Sequence, residues 1–155
     1  MAFGTLSVKG RALRYLSQRE HSRLELKRKL ARHVTATEDD SAQVLIARAL
    51  DELAAAGLLS DARAAASVLA SQGQRYGVRR LKQTLQFKGL DAELVSATLK
   101  EARNTEVERA RAVWRRRFGV PPADAAERAR QMRFMAGRGF ECEVILRVVQ
   151  GAEDD

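Results

Sequence analysis

Apolar residues recur along this chain at spacings of three and four, the period of a helix with one buried face. The breaks between runs fall at glycine or at a residue able to cap a helix. Ala12, Leu13 and Leu16 form the first stripe, on a helix expected from about Lys9 to Gln18. A second helix is predicted over Arg23 to His33, where Ser22 and Glu25 stand in the S-x-x-E relation of a capping box and Leu26 and Leu30 share a face flanked by Leu24. The third opens near Asp40 and Ser41, carries Val44, Leu45, Ile46, Leu50 and Leu53, and stops at Gly57. Asp61 is read as the cap of a fourth helix that ends at Gly73, and Arg79 to Lys88 as a fifth that ends at Gly89. Asp91 caps a sixth, buried along Leu94, Val95 and Leu99. Asn104 or Thr105 starts a seventh, in which Val107, Ala110, Trp114 and Phe118 line up before Gly119 and the pair Pro121 and Pro122. Asp124 and Glu127 open an eighth, and beyond Gly139 a ninth carries Val144, Ile145, Val148 and Val149.

The pattern also repeats on a longer scale. Residues 85–99 and 135–149 match in a constant register of 50: Leu85 falls on Met135, Lys88 on Arg138, Gly89 on Gly139, Asp91 on Glu141, Leu94 on Val144, Val95 on Ile145 and Leu99 on Val149. The first part of the chain joins this register once about six extra residues are allowed in the VTATEDD connection, with His33-Val34 standing where the others have Lys-Gly or Arg-Gly. The expected fold is therefore all-α, built of tandem three-helix repeats stacked into an elongated, curved array. The repeats are drawn as 1–59 with an N-terminal extension, 60–103, and 104–155 with an acidic C-terminal tail.

Charge sharpens this picture. The 155 residues carry 28 Lys and Arg against 20 Asp and Glu, a formal charge of +8 that favours a polyanionic partner. The sign alternates along the chain. Residues 9–33 hold nine basic and two acidic side chains, 72–89 five and none, 109–118 five and none, and 128–138 another four basic ones, Arg128, Arg130, Arg133 and Arg138. By contrast, residues 38–61 hold six acids and one base, 91–108 five and two, and 139–155 five and one. Stacked repeats would gather the bases into a ribbon suited to a phosphate backbone or an acidic protein filament.

Signals of catalysis are not found. The glycines at 73, 77, 137 and 139 do not form a phosphate-cradling motif, and no strand precedes them. His21 and His33 lack the spacing of a helical metal pair and are read as capping or surface residues. Cys142, the only cysteine, lies between Glu141 and Glu143, a setting that disfavours thiolate, and its solitude suits a reducing compartment. No cofactor, metal or catalytic residue is assigned, and a non-enzymatic protein of the cytoplasm is expected, without a membrane span. Trp114, Phe118, Phe134 and Phe140 are read as core, whereas Tyr76, between Arg75 and Gly77, stands apart as a candidate contact.

Four stretches carry a family resemblance: REHSRLELKRKLARH, ALDELAAAGLLSDAR, GQRYGVRRLKQTLQFKGLDAELV and RQMRFMAGRGFECEVI. In order and spacing they resemble the RecX family of recombination regulators over roughly residues 10–150. Ala64, where the family usually has Phe or Tyr, and His33-Val34 depart from the pattern. The resemblance implies tandem three-helix repeats that bind the RecA recombinase filament in its groove and suppress ATP hydrolysis, strand exchange and co-protease activity. Joined to the charge pattern, it directs attention to Arg23, Lys27 and Arg28 in the first repeat, Arg75, Arg79, Arg80 and Lys82 in the second, and Arg115, Arg116, Arg128 and Arg133 in the third. The expected partners are the RecA filament and single- or double-stranded DNA bound without sequence preference, with the chain acting as a monomer. The rival expectation is a helix-turn-helix DNA-binding module, for which only Gln83, Gln86 and Gln131 could read bases.

Overall fold

Ser22 illustrates how local chemistry starts these helices. Its hydroxyl accepts the Glu25 backbone N–H at 3.2 Å while the Glu25 carboxylate accepts that of Ser22 at 3.1 Å, the reciprocal box expected from the sequence. Ser7, Ser41, Asp91 and Asp124 cap in the same way with one side-chain oxygen each. The structure, a computed structural model, describes residues 6–154, with side chains through 151. The first five residues of the expected N-terminal extension and the end of the expected acidic tail lie outside that range.

Among the described residues there are nine helices and no strand: α1 (Val8–Gln18), α2 (Arg23–Ala31), α3 (Ala42–Ala55), α4 (Asp61–Gln72), α5 (Val78–Phe87), α6 (Ala92–Asn104), α7 (Glu106–Arg117), α8 (Ala125–Gly137) and α9 (Cys142–Asp154). The chain divides into two compact units, Met1–Ala65 with Lys88–Leu90, and Ala66–Phe87 with Asp91–Asp155.

In the first unit α1 and α2 both pack on α3. Ala12, Leu26, Leu30, Ile46, Leu50, Leu53 and Leu59 close its core. Complete burial of a leucine is worth about 2 kcal/mol, so the two leucines of α2 anchor an otherwise cationic helix. His21 belongs to this interior rather than to the surface where the sequence places it, with none of its area exposed. Its Nδ1 lies 3.0 Å from the Arg19 carbonyl, which can only accept, so Nδ1 bears the proton and Nε2 accepts from the Lys29 ammonium at 2.8 Å. Burial pulls its pKa below the ordinary value, and the Arg19 and Lys29 charges act in the same direction against the Arg19 carbonyl.

Asp61 also differs from expectation. The Ser60 hydroxyl accepts the Arg63 N–H at 3.2 Å and opens α4, which leaves the Asp61 carboxylate to accept the Arg23 N–H at 2.8 Å, at the start of α2. The Ser22 hydroxyl, already an acceptor, donates to the Lys88 carbonyl at 2.6 Å. Gly89, next in the chain, has φ +71° and leaves no room for a Cβ beside Leu24.

The second unit repeats this joint. At the start of α5, Gly77 N–H donates to the Arg138 carbonyl at 2.9 Å and Arg79 N–H to the Gly139 carbonyl at 3.0 Å. The carboxylate of Glu106, the first residue of α7, accepts the Val78 N–H at 3.0 Å and the Glu141 N–H at 3.4 Å. Ser22 and Gly77 thus hold equivalent positions, as do Asp61 and Glu106, and Lys88 and Arg138. The orphan donors of the middle helix are satisfied by the glycine turn and the first acid of the following repeat. Around this joint α5 packs on α6 and α9 on both α7 and α8. The core runs through Ala110, Val113, Trp114, Met135, Phe140, Val144, Ile145, Val148 and Val149, with Phe118 and Phe134 partly buried at its margin.

Candidate partner-binding surface

The cationic residues of the second unit are arranged around aromatic rings. Arg80 lies over the Tyr76 ring at 3.9 Å, with Arg75 and Arg138 at 5.5 and 5.6 Å from the same ring. Arg138 also stands 5.1 Å from Phe134, Arg117 is 5.2 Å from Phe134 and 5.6 Å from Phe118, and Arg130 is 5.2 Å from Phe118. Phe118 and Phe134 meet edge to face with centroids 5.4 Å apart. Guanidinium and ring alternate from Arg80 to Arg130, drawing on α5, α7 and α8. Each such contact is worth about 0.5–1 kcal/mol at an exposed position and restricts the arginine in place.

Beside this ladder an open cleft of about 290 Å³ is lined by Arg75, Val113, Arg116, Arg117, Phe134 and Arg138, without an acidic side chain. Arg116 is steadied by a bond from Nη2 to the Gln74 carbonyl at 2.9 Å. Among the described residues Arg75, Arg80, Arg116, Arg117 and Arg138 form no ion pair, whereas Arg130 is held by both Glu127 oxygens at 2.9 Å. Five uncompensated guanidiniums in one small region make the surface cationic, and each offers a planar fork of donors.

Of the residues singled out from sequence, Arg75, Arg80 and Arg116 meet here. Arg79 and Lys82 are exposed on α5, and Arg128 and Arg133 on α8. Arg115 lines a different hollow with Arg111 and Trp114. In the first unit, Arg23 and Lys27 border a groove floored by Ile46 and Leu50, and the Arg23 guanidinium is taken up by Asp51 at 2.6 Å. Arg28 is exposed on the same helix. Arg117 and Arg138 were not singled out; the match of Arg138 with Lys88 in the 50-residue register pointed to one of them.

Arg109 is counted with the basic run from sequence but is structural. It donates to the Gly73, Tyr76 and Ala102 carbonyls at 2.6, 2.8 and 2.8 Å, and so fixes the turn that presents Tyr76. Gln131 is likewise withdrawn: it is buried, accepts from the Trp114 indole N–H at 2.8 Å and donates to the Val120 carbonyl at 3.1 Å. No group of three or more His, Cys, Asp or Glu able to hold a metal occurs among the described residues, and no helix there is long and apolar enough to cross a membrane.

Fold and surface together define a tandem three-helix-repeat protein that carries an arginine-rich, aromatic-backed surface. Comparison with known proteins narrows the class. Residues 60–99 match the second and residues 104–149 the third three-helix domain of RecX. The chain is 51% identical over 150 residues to the regulatory protein RecX of Leptothrix cholodnii, covering 97% of this chain and 92% of that one. It is 47% identical over 148 residues to the regulatory protein RecX of Ralstonia nicotianae, covering 96% and 89%. The crystal structure of RecX from Lactobacillus salivarius superposes with a TM-score of 0.75 at 20% identity and 96% coverage of both chains, a likeness of fold. The chain belongs to the RecX family of regulatory proteins.

Proposed function

We propose that this chain regulates the RecA recombinase, as the family name implies, by binding the recombinase filament on DNA and inhibiting its ATPase, strand-exchange and co-protease activities. It acts without catalysis of its own, as a cytoplasmic monomer whose three repeats, 1–59, 60–103 and 104–155, each contribute basic side chains. The observation that carries this reading is the group of five arginines in the second unit that no carboxylate neutralises. A buried or paired arginine serves the fold, whereas several unpaired ones in one region repel each other and attract a polyanion. Bound along the filament, such a chain would obstruct subunit addition or the motions that couple to ATP turnover. A sequence-reading helix-turn-helix module is less well supported, because the buried Gln131 is unavailable to bases and only Gln83 and Gln86 remain.

The test is to assemble RecA on single-stranded DNA, add the protein in equal amount to the recombinase, and follow ATP hydrolysis. Suppression is expected for the natural chain. An unchanged rate at that ratio rejects the proposal.

A further inference from the structure

Lys29 stands apart from the other basic side chains of the first unit. Its Nζ donates to Nε2 of the buried His21 at 2.8 Å, and the Tyr15 ring closes a second side at 4.8 Å. Among the described residues no carboxylate pairs with it; Glu25 gives one oxygen to Arg19 at 2.7 Å and the other to Lys88 at 2.8 Å. Burial, then the Arg19 charge, pull the ammonium below its ordinary pKa; Glu25 opposes them, and Lys88 and Arg32 add to the lowering. His21 is oriented in its turn, since its Nδ1–H is held by the Arg19 carbonyl at 3.0 Å. An amine within reach of a base that a third group orients is the arrangement of an activated nucleophile.

We propose that Lys29 is a modification site, acylated by small acyl phosphates with His21 Nε2 as the proton acceptor. The lone pair of the neutral amine forms the C–N bond at the acyl carbon, the C–O bond to the phosphate breaks, and the phosphate departs with that electron pair. The amine proton passes to Nε2 and from there to the departing phosphate, which returns His21 to the neutral form that its burial favours. Two features select the donor. The half-buried setting of Lys29 admits a small acyl group, and Arg19, Lys88 and Arg32 against the one carboxylate of Glu25 attract an anionic carrier. The amide product keeps an N–H for Nε2 and removes one charge from a helix crowded with like charges. Lys27 shares the helix but is exposed and bonds no histidine, which makes it the natural comparison. Modification of Lys29 is independent of the filament reading.

The experiment is incubation of the full chain with acetyl phosphate, without recombinase, followed by peptide mass spectrometry of the acetyl groups gained at each lysine over time. Lys29 is expected to react at least about tenfold faster than Lys27, a modest share of the roughly 10²–10⁴-fold that a positioned general base supplies. In the natural chain its rate should also level off at a lower pH than that of Lys27. In urea sufficient to unfold the chain the two lysines should react alike. His21→Gln, which keeps an acceptor for Lys29 but not a base, should remove most of the preference, with circular dichroism confirming the fold. If that variant does not fold, the pH profile and the urea comparison decide. A Lys29 rate in the folded natural chain no greater than that of Lys27 overturns the proposal, as does a plateau at the same or higher pH. A preference that survives unfolding, or one undiminished in folded His21→Gln, overturns it equally.

Discussion

Glu25 concentrates several functions in one carboxylate. It closes the capping box on Ser22, takes Arg19 at 2.7 Å and Lys88 at 2.8 Å, and is only 12% exposed. Burial alone would raise its pKa, but bonds from Arg19, Lys88 and the Ser22 N–H outweigh it and hold the group down to about 2. The folded value lies below the unfolded one of 4.5, so the stabilisation is fully present above about pH 4.5 and is lost as pH falls from there toward 2. Glu25→Gln is therefore expected to lose about 2 kcal/mol at pH 7. In urea unfolding the gap to the natural chain should shrink between pH 5 and 2.5; a gap independent of pH contradicts the assignment. The serine and the glutamate of this box are legible as a motif because the pairing is local. Asp61, which serves Arg23 from 38 positions away, and His21, buried against Lys29, are not, because residue type and spacing carry no record of what the fold brings alongside.

At the scale of elements, helix number and order follow from the apolar stripes and the capping residues, both properties of short windows of sequence. The joint that repeats between the middle helix and the next repeat does not, since it is made of backbone carbonyls at Lys88, Arg138 and Gly139 and of single acids at Asp61 and Glu106. Glu106 is 1% exposed and answers two backbone donors with one oxygen. Glu106→Ala leaves both without this acceptor, the Val78 N–H in the interior, and is expected to cost about 2–4 kcal/mol in urea unfolding. Glu106→Gln, which keeps a carbonyl acceptor in place, should cost clearly less. Equal losses in the two variants would show that the acceptor oxygen is not what holds the joint. The charge count by helix was informative about sign but not about use: Arg109 and Arg130 fall within basic runs, yet one is spent on carbonyls and the other on Glu127. The aromatic backing was hidden for the same reason, because Phe118 and Phe134 have the spacing of core residues and are in fact shared between the core margin and the arginines.

For the molecule as a whole, the excess of 28 basic over 20 acidic residues is a summary of several different uses, and only the unpaired part can act on a partner. In the second unit that part includes Arg75, Arg80, Arg116, Arg117 and Arg138, grouped by α5, α7 and α8. The central claim is that these side chains engage the recombinase filament. It is tested most directly by sedimenting RecA filaments on single-stranded DNA at physiological salt with either the natural chain or the folded quadruple variant Arg75→Gln, Arg116→Gln, Arg117→Gln and Arg138→Gln. The natural chain is predicted to pellet with the filament and the variant to stay in the supernatant. Equal pelleting of the two contradicts the claim.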